Sequence, residues 1–139
     1  LPLFLPMQYE VDLPAAVETA AAMTADSRVL DLSLTPREMM AAVGRCDVLA
    51  AMRLHALIFA VQQGVPALGL AYDPKVRDFA RAARLADPPN WEEITAETLA
   101  PLLIALWDGR DALRAVLAGS APRLAALARR NMAVVREAL

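Results

Sequence analysis

The sequence predicts an α/β fold in which a parallel β-sheet is flanked by helices. Short apolar segments of strand length recur along the chain, each is followed by apolar residues at helical spacing, and the connections are short. The chain is 58% hydrophobic but only 5% aromatic, and alanine and leucine dominate it, which favours helices packed on a sheet. Its 139 residues suffice for one domain with one core.

Four apolar segments have the length and composition typical of buried strands. They are residues 1–7, 29–32, 46–51 and 67–71. A helical pattern follows each of them, and these four helices are expected to begin near Asp12, Thr35, Arg53 and Asp73. This alternation predicts a Rossmann-like sheet as the core of the chain, over residues 1–86.

Capping residues mark the ends of several of these helices. Thr35 can act as an N-cap, and Glu38, three residues later, can complete a capping box. Asp73 followed by Pro74 is a second start signal, and Gly64 is a stop signal for the third helix.

The character of the sequence changes at Asp87, and residues 87–139 are expected to add a loop and C-terminal helices to the same domain. Residues 88–91 predict a loop or a short edge strand. Two helical segments follow, at 95–107 and 111–139, and the second is expected to break near Gly119-Ser120-Ala121-Pro122.

Composition excludes several classes of function. A net charge of −2, with no basic run longer than Arg129-Arg130, argues against a nucleic-acid partner. The single cysteine, Cys46, permits no disulfide within the chain and no cysteine zinc cluster, so we expect no metal site and a reduced, cytoplasmic setting. The longest apolar run, 48–61, is too short and too polar to span a bilayer. The apolar start at Leu1, without an initiator Met, suggests a fragment of a longer protein.

The candidate functional residues follow the third and fourth strands, where open parallel sheets bind their ligands. Arg53 lies at a helix N-terminus, where a cation is unfavourable for the helix itself. An anion docked between the guanidinium and the backbone amides would explain its presence there. His55, the only histidine, is a candidate general acid beside such an anion. Tyr72 and Lys75 stand at the second junction.

Structural interpretations stay open beside these functional ones. A lone histidine is often a core-edge residue, a lone arginine is often a surface charge, and Lys75 is either a phosphate contact or solvated. Asp73 is most simply an N-cap. Four large side chains are interpreted as core: Met39, Met40, Trp91 and Trp107.

Three segments together resemble the polysaccharide pyruvyl transferase family. They are residues 52–60, 64–66 and 69–76, within a region of dense similarity from Cys46 to Leu85. The likeness is strongest to the bacterial cell-wall branch, whose members place pyruvate ketals on polysaccharide linked to S-layer attachment. It implies the C-terminal half of a B-type glycosyltransferase architecture (GT-B-like), with the N-terminal half of the same protein missing here.

The resemblance also implies a donor, phosphoenolpyruvate, and no cofactor beyond it. Arg53 is then expected to grip phosphate or carboxylate, the backbone around Leu54 to add amide contacts, and His55 to protonate the methylene carbon of the donor. Tyr72 and Lys75 complete the implied substrate-binding set. The implied acceptor is a polysaccharide or lipid-linked saccharide, in the cytoplasm or at the inner face of the membrane. Self-association into a homo-oligomer is left open.

Two other functions are kept as alternatives. One is the nucleotide-sugar-binding domain of an ordinary B-type glycosyltransferase, which commonly needs a carboxylate for the ribose. Asp73 is a poor candidate for that role if it caps a helix. The other is a non-catalytic interaction module whose working surface is an exposed apolar stripe between Ala112 and Leu139.

Overall fold

The structure, a computed structural model, describes residues 1–137. The strands of this part are β1 (Leu3–Phe4), β2 (Arg28–Val29), β3 (Leu49–Ala51) and β4 (Ala67–Gly69). Its α-helices are α1 (Tyr9–Ala22), α2 (Pro36–Val43), α3 (Leu54–Gln63), α4 (Pro74–Ala83), α5 (Ala96–Asp108) and α6 (Arg110–Glu137). A single 3₁₀ turn of the described chain spans Trp91–Glu93. An α/β fold with parallel strands is thereby confirmed.

The chain divides into two compact units, Leu1–Met39 and Met40–Leu139. In the first unit, β1 and β2 pair in parallel, with Phe4 opposite Val29. The predicted strands 1–7 and 29–32 are longer than the observed ones. Pro2 and Pro6 bracket β1 and cannot donate to a neighbouring strand, which limits the length of the ladder.

Helix α1 begins one turn earlier than predicted. Gln8 is its N-cap, and the carboxylate of Asp12 accepts a hydrogen bond from the Gln8 N–H at 2.9 Å. Asp12 therefore acts from inside the first turn and does not itself begin the helix, and Pro14 lies within the helix. The expected start at Asp12 is wrong for this reason.

Helix α2 begins as its capping pattern predicts. The Glu38 carboxylate accepts from the Thr35 N–H at 2.9 Å, and the Thr35 hydroxyl accepts from the Glu38 N–H at 3.4 Å. These reciprocal bonds satisfy two amides that the start of a helix leaves without partners. The Thr35 hydroxyl also donates to the Glu38 carboxylate at 2.7 Å, and this bond, followed by the one from the Thr35 N–H, lowers the pKa of Glu38 because both stabilise its ionised form.

The second unit contains a β–α–β crossover. Strands β3 and β4 pair in parallel, with Leu49, Ala50 and Ala51 opposite Ala67, Leu68 and Gly69. Helix α3 connects them and buries one face, formed by Ala56, Leu57, Ala60 and Val61. Gly64 ends α3 in the left-handed conformation at φ 70°, as its position predicts. The four described strands form two separate pairs, β1-β2 and β3-β4, where one sheet was expected.

Close packing of helices on β4 depends on Gly69. A Cβ atom at this position would lie 3.0 Å from a methyl carbon of Val76 and 3.2 Å from a methyl carbon of Leu57. Leu57 and Val76 belong to α3 and α4, and both are fully buried. The absence of a side chain at Gly69 therefore lets both helices approach the carboxyl end of the strand.

Helix α6 runs without interruption from Arg110 to Glu137, so the predicted break at Gly119-Ser120-Ala121-Pro122 is wrong. Leu117 is 1% exposed and packs with Val61 of α3 and Ala83 of α4. Leu124, beyond the proline, is partly buried against the same cluster, so contacts on both sides of Pro122 hold the helix together. Pro122 itself is exposed, where water can bond to the carbonyl that loses its partner. Residues 138–139 of the predicted helix lie outside the described residues.

The C-terminal helices thus pack on the same unit as β3 and β4. The division into a core at 1–86 and an addition at 87–139 stays a prediction, as does a Rossmann-like arrangement of all four strands. In the part of the chain that the structure describes, no helix has the length and apolar character to cross a membrane.

Candidate active site

The junctions that follow β3 and β4 lie side by side. Ala51 and Gly69 are the last paired residues of the two strands, and beyond them the Leu70 N–H donates to the Ala51 carbonyl at 2.9 Å. Since the strands are parallel, the chain leaves both of them at the same edge of the sheet, where their carboxyl ends lie. This edge carries all five site residues that the sequence predicts.

Arg53 connects β3 to α3. It is the N-cap, with extended backbone angles of φ −77° and ψ 122°, and its side chain makes no capping bond. Its carbonyl accepts the first bonds of the helix, from Ala56 N–H at 3.0 Å and Leu57 N–H at 3.4 Å. Helix geometry leaves the preceding amides, of Leu54 and His55, directed beyond the helix start. Arg53 is half-buried with its Nε inaccessible to solvent, whereas the His55 side chain is exposed.

The start of α4, at the neighbouring junction, is built differently. The Asp73 carboxylate accepts from the Lys75 N–H at 2.9 Å and forms an ion pair with the Lys75 ammonium at 3.1 Å. The N-cap role of Asp73 is therefore confirmed. These contacts lower the pKa of Asp73, and the largest cause is the hydrogen bond from the Lys75 backbone N–H. They raise the pKa of Lys75, and the largest cause there is the bond between its side chain and Asp73.

The two helix starts consequently differ in charge. The chain's own carboxylate neutralises the positive end of α4, whereas α3 combines its positive end with an arginine as N-cap. This combination favours an external anion at α3 over α4. The ammonium of Lys75 lies 5.7 Å from the centre of the Tyr72 ring, so Lys75 contacts both Asp73 and Tyr72. The substrate-binding and catalytic roles of these residues stay predictions.

Trp91 lies at this edge too, although the sequence interpretation places it in the core. The interpretation is wrong for both tryptophans, because Trp91 and Trp107 are each 47% exposed. The Trp107 ring instead packs against the Arg110 guanidinium, 4.5 Å from its centre. Met39, by contrast, is buried at 5% exposure, as predicted. The position of Trp91 in the predicted loop or edge strand 88–91 was the sequence signal for a surface role.

The apolar residues of α6 are divided between core and surface. Leu117 is buried, whereas Val116 and Leu127 are 42% and 45% exposed. The interaction-module alternative required a continuous stripe as far as Leu139. Side chains beyond residue 130 lie outside the described ones, so this alternative stays a hypothesis.

The comparisons with known proteins now identify the family. The family model for polysaccharide pyruvyl transferase matches residues 2–74, more than half of the chain. The chain belongs to the polysaccharide pyruvyl transferase family. Searches of curated proteins and of solved structures gave no match. The matched region of this pyruvyl transferase chain includes Arg53, Leu54, His55 and Tyr72 and ends before Lys75. Membership assigns the chain to a family of transferases that act on polysaccharide.

Proposed function

We propose that this chain supplies the donor-binding part of a pyruvyl transferase, which moves the pyruvyl group of phosphoenolpyruvate onto a cell-surface polysaccharide as a ketal. The observation that carries the proposal is the start of α3, where a half-buried arginine is the N-cap at the carboxyl ends of a parallel strand pair. Phosphoenolpyruvate carries a phosphate and a carboxylate, which suit a guanidinium and helix-end amides.

Arg53 binds one anionic group of the donor in this account, and the amides of Leu54 and His55 bind the same group from the helix end. The half-buried position of Arg53 strengthens such a contact, since water screens it less than it screens a surface charge. Tyr72 and Lys75 border the same edge and contribute to substrate binding. Lys75 is paired with Asp73, so a donor phosphate would compete with that carboxylate for the ammonium.

His55 acts as the general acid in the proposed reaction. It gives a proton to the methylene carbon of the donor, which leaves the adjacent carbon open to attack by a sugar hydroxyl. That hydroxyl forms the first C–O bond and loses its proton. A second hydroxyl of the sugar forms the other C–O bond and gives its proton to the departing phosphate as the C–O bond to phosphate breaks. The phosphate leaves with the bonding pair, and the products are the cyclic ketal and inorganic phosphate.

The wider assembly belongs to the same proposal. The chain takes the place of the C-terminal, Rossmann-like half of a GT-B-like enzyme of the cell-wall branch, and an N-terminal half contributes acceptor contacts. The acceptor is a polysaccharide or a lipid-linked saccharide, modified in the cytoplasm or at the inner face of the membrane. The family match over residues 2–74 supports the polysaccharide acceptor at the level of class.

The test compares donors in the enzyme that contains both halves. It is incubated with its surface polysaccharide and either phosphoenolpyruvate or a uridine or guanosine diphosphate sugar. We expect phosphate release and a ketal methyl signal in the NMR spectrum only with phosphoenolpyruvate. Sugar transfer from the nucleotide donors, without reaction of phosphoenolpyruvate, would favour the alternative of a nucleotide-sugar-binding domain. The commitment of the Asp73 carboxylate to Lys75 argues against that alternative, because it removes the candidate ribose ligand.

A further inference from the structure

Trp91 is one of two exposed aromatic residues beside the carboxyl end of β4. The other is Tyr72, which is 41% exposed. A single exposed aromatic is common on protein surfaces and needs no explanation. Two exposed aromatic residues at the same end of a strand pair, next to a candidate donor site, are less common. Their backbone positions, and the hydrogen bonds that hold the segment at Trp91, indicate what they could bind.

Backbone hydrogen bonds set the order of the segments at this edge. The Leu70 N–H donates towards β3, to the Ala51 carbonyl. The Ala71 N–H donates the opposite way, to the Pro89 carbonyl at 3.2 Å, and the Ala71 carbonyl accepts from the Trp91 N–H at 3.3 Å. The N–H groups of neighbouring residues in a strand point to opposite sides of that strand. The segment at Trp91 therefore lies beside β4 on the side opposite β3.

Tyr72 therefore comes between the Arg53 junction on one side and Trp91 on the other. In the parallel bridge, Ala71 is paired with Asn90, so the next residues along the two segments are Tyr72 and Trp91. Adjacent segments of a sheet are about 4.8 Å apart, which puts the backbones at Arg53 and Trp91 roughly 10 Å from each other. A donor at Arg53 and a sugar ring at Trp91 would then be neighbours at the carboxyl ends of the strands.

The position of Trp91 is fixed by side chains as well as by backbone. The Arg77 guanidinium bonds to the Asp87 carboxylate at 3.2 Å and to the Asn90 side-chain oxygen at 2.7 Å. The Asn90 amide group in turn donates to the Glu93 carboxylate at 2.9 Å. This network ties the segment on both sides of Trp91 to α4. Trp91 therefore stands on a backbone segment that is already fixed, so little conformational entropy is lost in ordering that segment when a ligand binds.

We propose that Trp91 and Tyr72 form a stacking platform for a pyranose ring of the saccharide acceptor, an inference that rests on the proposed function and names the acceptor subsite of the same site. One face of a pyranose presents C–H groups, which pack on the flat, apolar face of an aromatic ring. The sugar hydroxyls then point outward, towards water and polar side chains such as the exposed Glu92. Tryptophan and tyrosine suit this use because they offer a large contact area with few rotatable bonds.

The experiment measures saccharide binding to the 139-residue chain by saturation-transfer NMR. The probes are maltotriose, mannotriose and N-acetyllactosamine, each titrated into wild type, Trp91→Ala, Trp91→Phe and Trp107→Ala. Trp107 is the matched control, since it is as exposed as Trp91 but lies on α5. We expect at least one saccharide to bind, with about tenfold weaker binding in Trp91→Ala and little change in Trp91→Phe or Trp107→Ala.

Phosphoenolpyruvate is titrated into the same four proteins, so that a failure of the stacking platform can be distinguished from a failure of the proposed donor site. Its binding should be unchanged in all three variants. The platform is overturned if no saccharide binds up to its solubility limit, or if Trp91→Ala and Trp107→Ala weaken binding equally. Saccharide binding that depends on Trp91 without binding of phosphoenolpyruvate would retain the platform and reject the donor proposal. The reverse result would reject the platform alone.

Discussion

The backbone N–H of Leu70 donates to the carbonyl oxygen of Ala51 at 2.9 Å, one residue beyond the last register pair of β3 and β4. This bond holds together the two junctions that carry the predicted site. Arg53 follows Ala51 by two residues, and Tyr72 follows Leu70 by two. The edge is thus a product of backbone pairing, and variants of the side chains at Arg53 and Tyr72 should leave it intact.

Replacement of two glycines by alanine should change stability in opposite directions. Gly64→Ala should destabilise the second unit by about 1 kcal/mol, because alanine adopts the φ angle of 70° at this position only with strain. A clash is not the cause, since an added methyl group would meet no atom within 4 Å. Gly119→Ala should stabilise the same unit by roughly 0.5–1 kcal/mol, because Gly119 lies within α6 and its added methyl also meets nothing. Urea unfolding followed by tryptophan fluorescence measures both. Effects of the same sign would contradict the assigned backbone conformations.

Truncation of Leu117 tests the packing of α6 on α3 and α4. Leu117→Ala should lower the free energy of unfolding by about 2–5 kcal/mol, because the side chain is 1% exposed against Val61 and Ala83. The control is Leu127→Ala on the same helix, where 45% exposure predicts a change within about 0.5 kcal/mol. The same urea experiment applies. An equal loss in the two variants would mean that α6 does not pack as described.

Asp73 should make the stability of the second unit depend on pH. Its pKa is lowered in the folded chain, chiefly by the Lys75 N–H, so the stabilisation is complete above the unfolded pKa and is lost as pH falls through the folded one. Asn also caps helices, so Asp73→Asn should keep the cap and lose the charge. The wild type should melt at a higher temperature than Asp73→Asn at neutral pH. This difference in melting temperature should vanish at pH values well below 3.8, the ordinary pKa of an aspartate side chain. A difference in melting temperature that does not change with pH would exclude the Asp73 carboxylate as its source.

Replacement of His55 by Gln should separate chemistry from donor binding. In the enzyme with both halves, kcat should fall by about 10²- to 10⁴-fold because the proton donor is lost. The affinity for phosphoenolpyruvate should change little, since the backbone amides at the helix start remain. Rapid-quench kinetics with equilibrium binding measures the two effects. An unchanged kcat would remove His55 from the chemistry, and a loss confined to affinity would make it a binding residue.

Local signals in the sequence predicted the parts of the fold that depend on few residues. The capping box at Thr35, the N-cap at Asp73 and the helix end at Gly64 each involve neighbours within a few positions, and all three are confirmed. The edge of β3 and β4 was predictable for the same reason, since strand ends and helix starts locate it.

Features that depend on distant residues were missed. The continuity of α6 rests on Leu117 meeting Val61 and Ala83, which lie more than thirty positions away along the chain. The position of the segment that carries Trp91 is set in part by Arg77 bonding to Asn90, thirteen residues further on. No periodicity in the sequence reports contacts of this kind, and tertiary packing overrode the break predicted from Gly119 and Pro122.

Binding of phosphoenolpyruvate to the 139-residue chain and its Arg53→Ala, Arg53→Lys and Arg81→Ala variants tests the central claim most directly. Arg81 is the control, because it is exposed and paired only with neighbouring Asp78 among the described residues. By calorimetry, Arg53→Ala should weaken binding by about 10- to 100-fold, Arg53→Lys less, and Arg81→Ala not at all. Equal affinity of wild type and Arg53→Ala, with matching unfolding midpoints, would contradict a donor site at the start of α3.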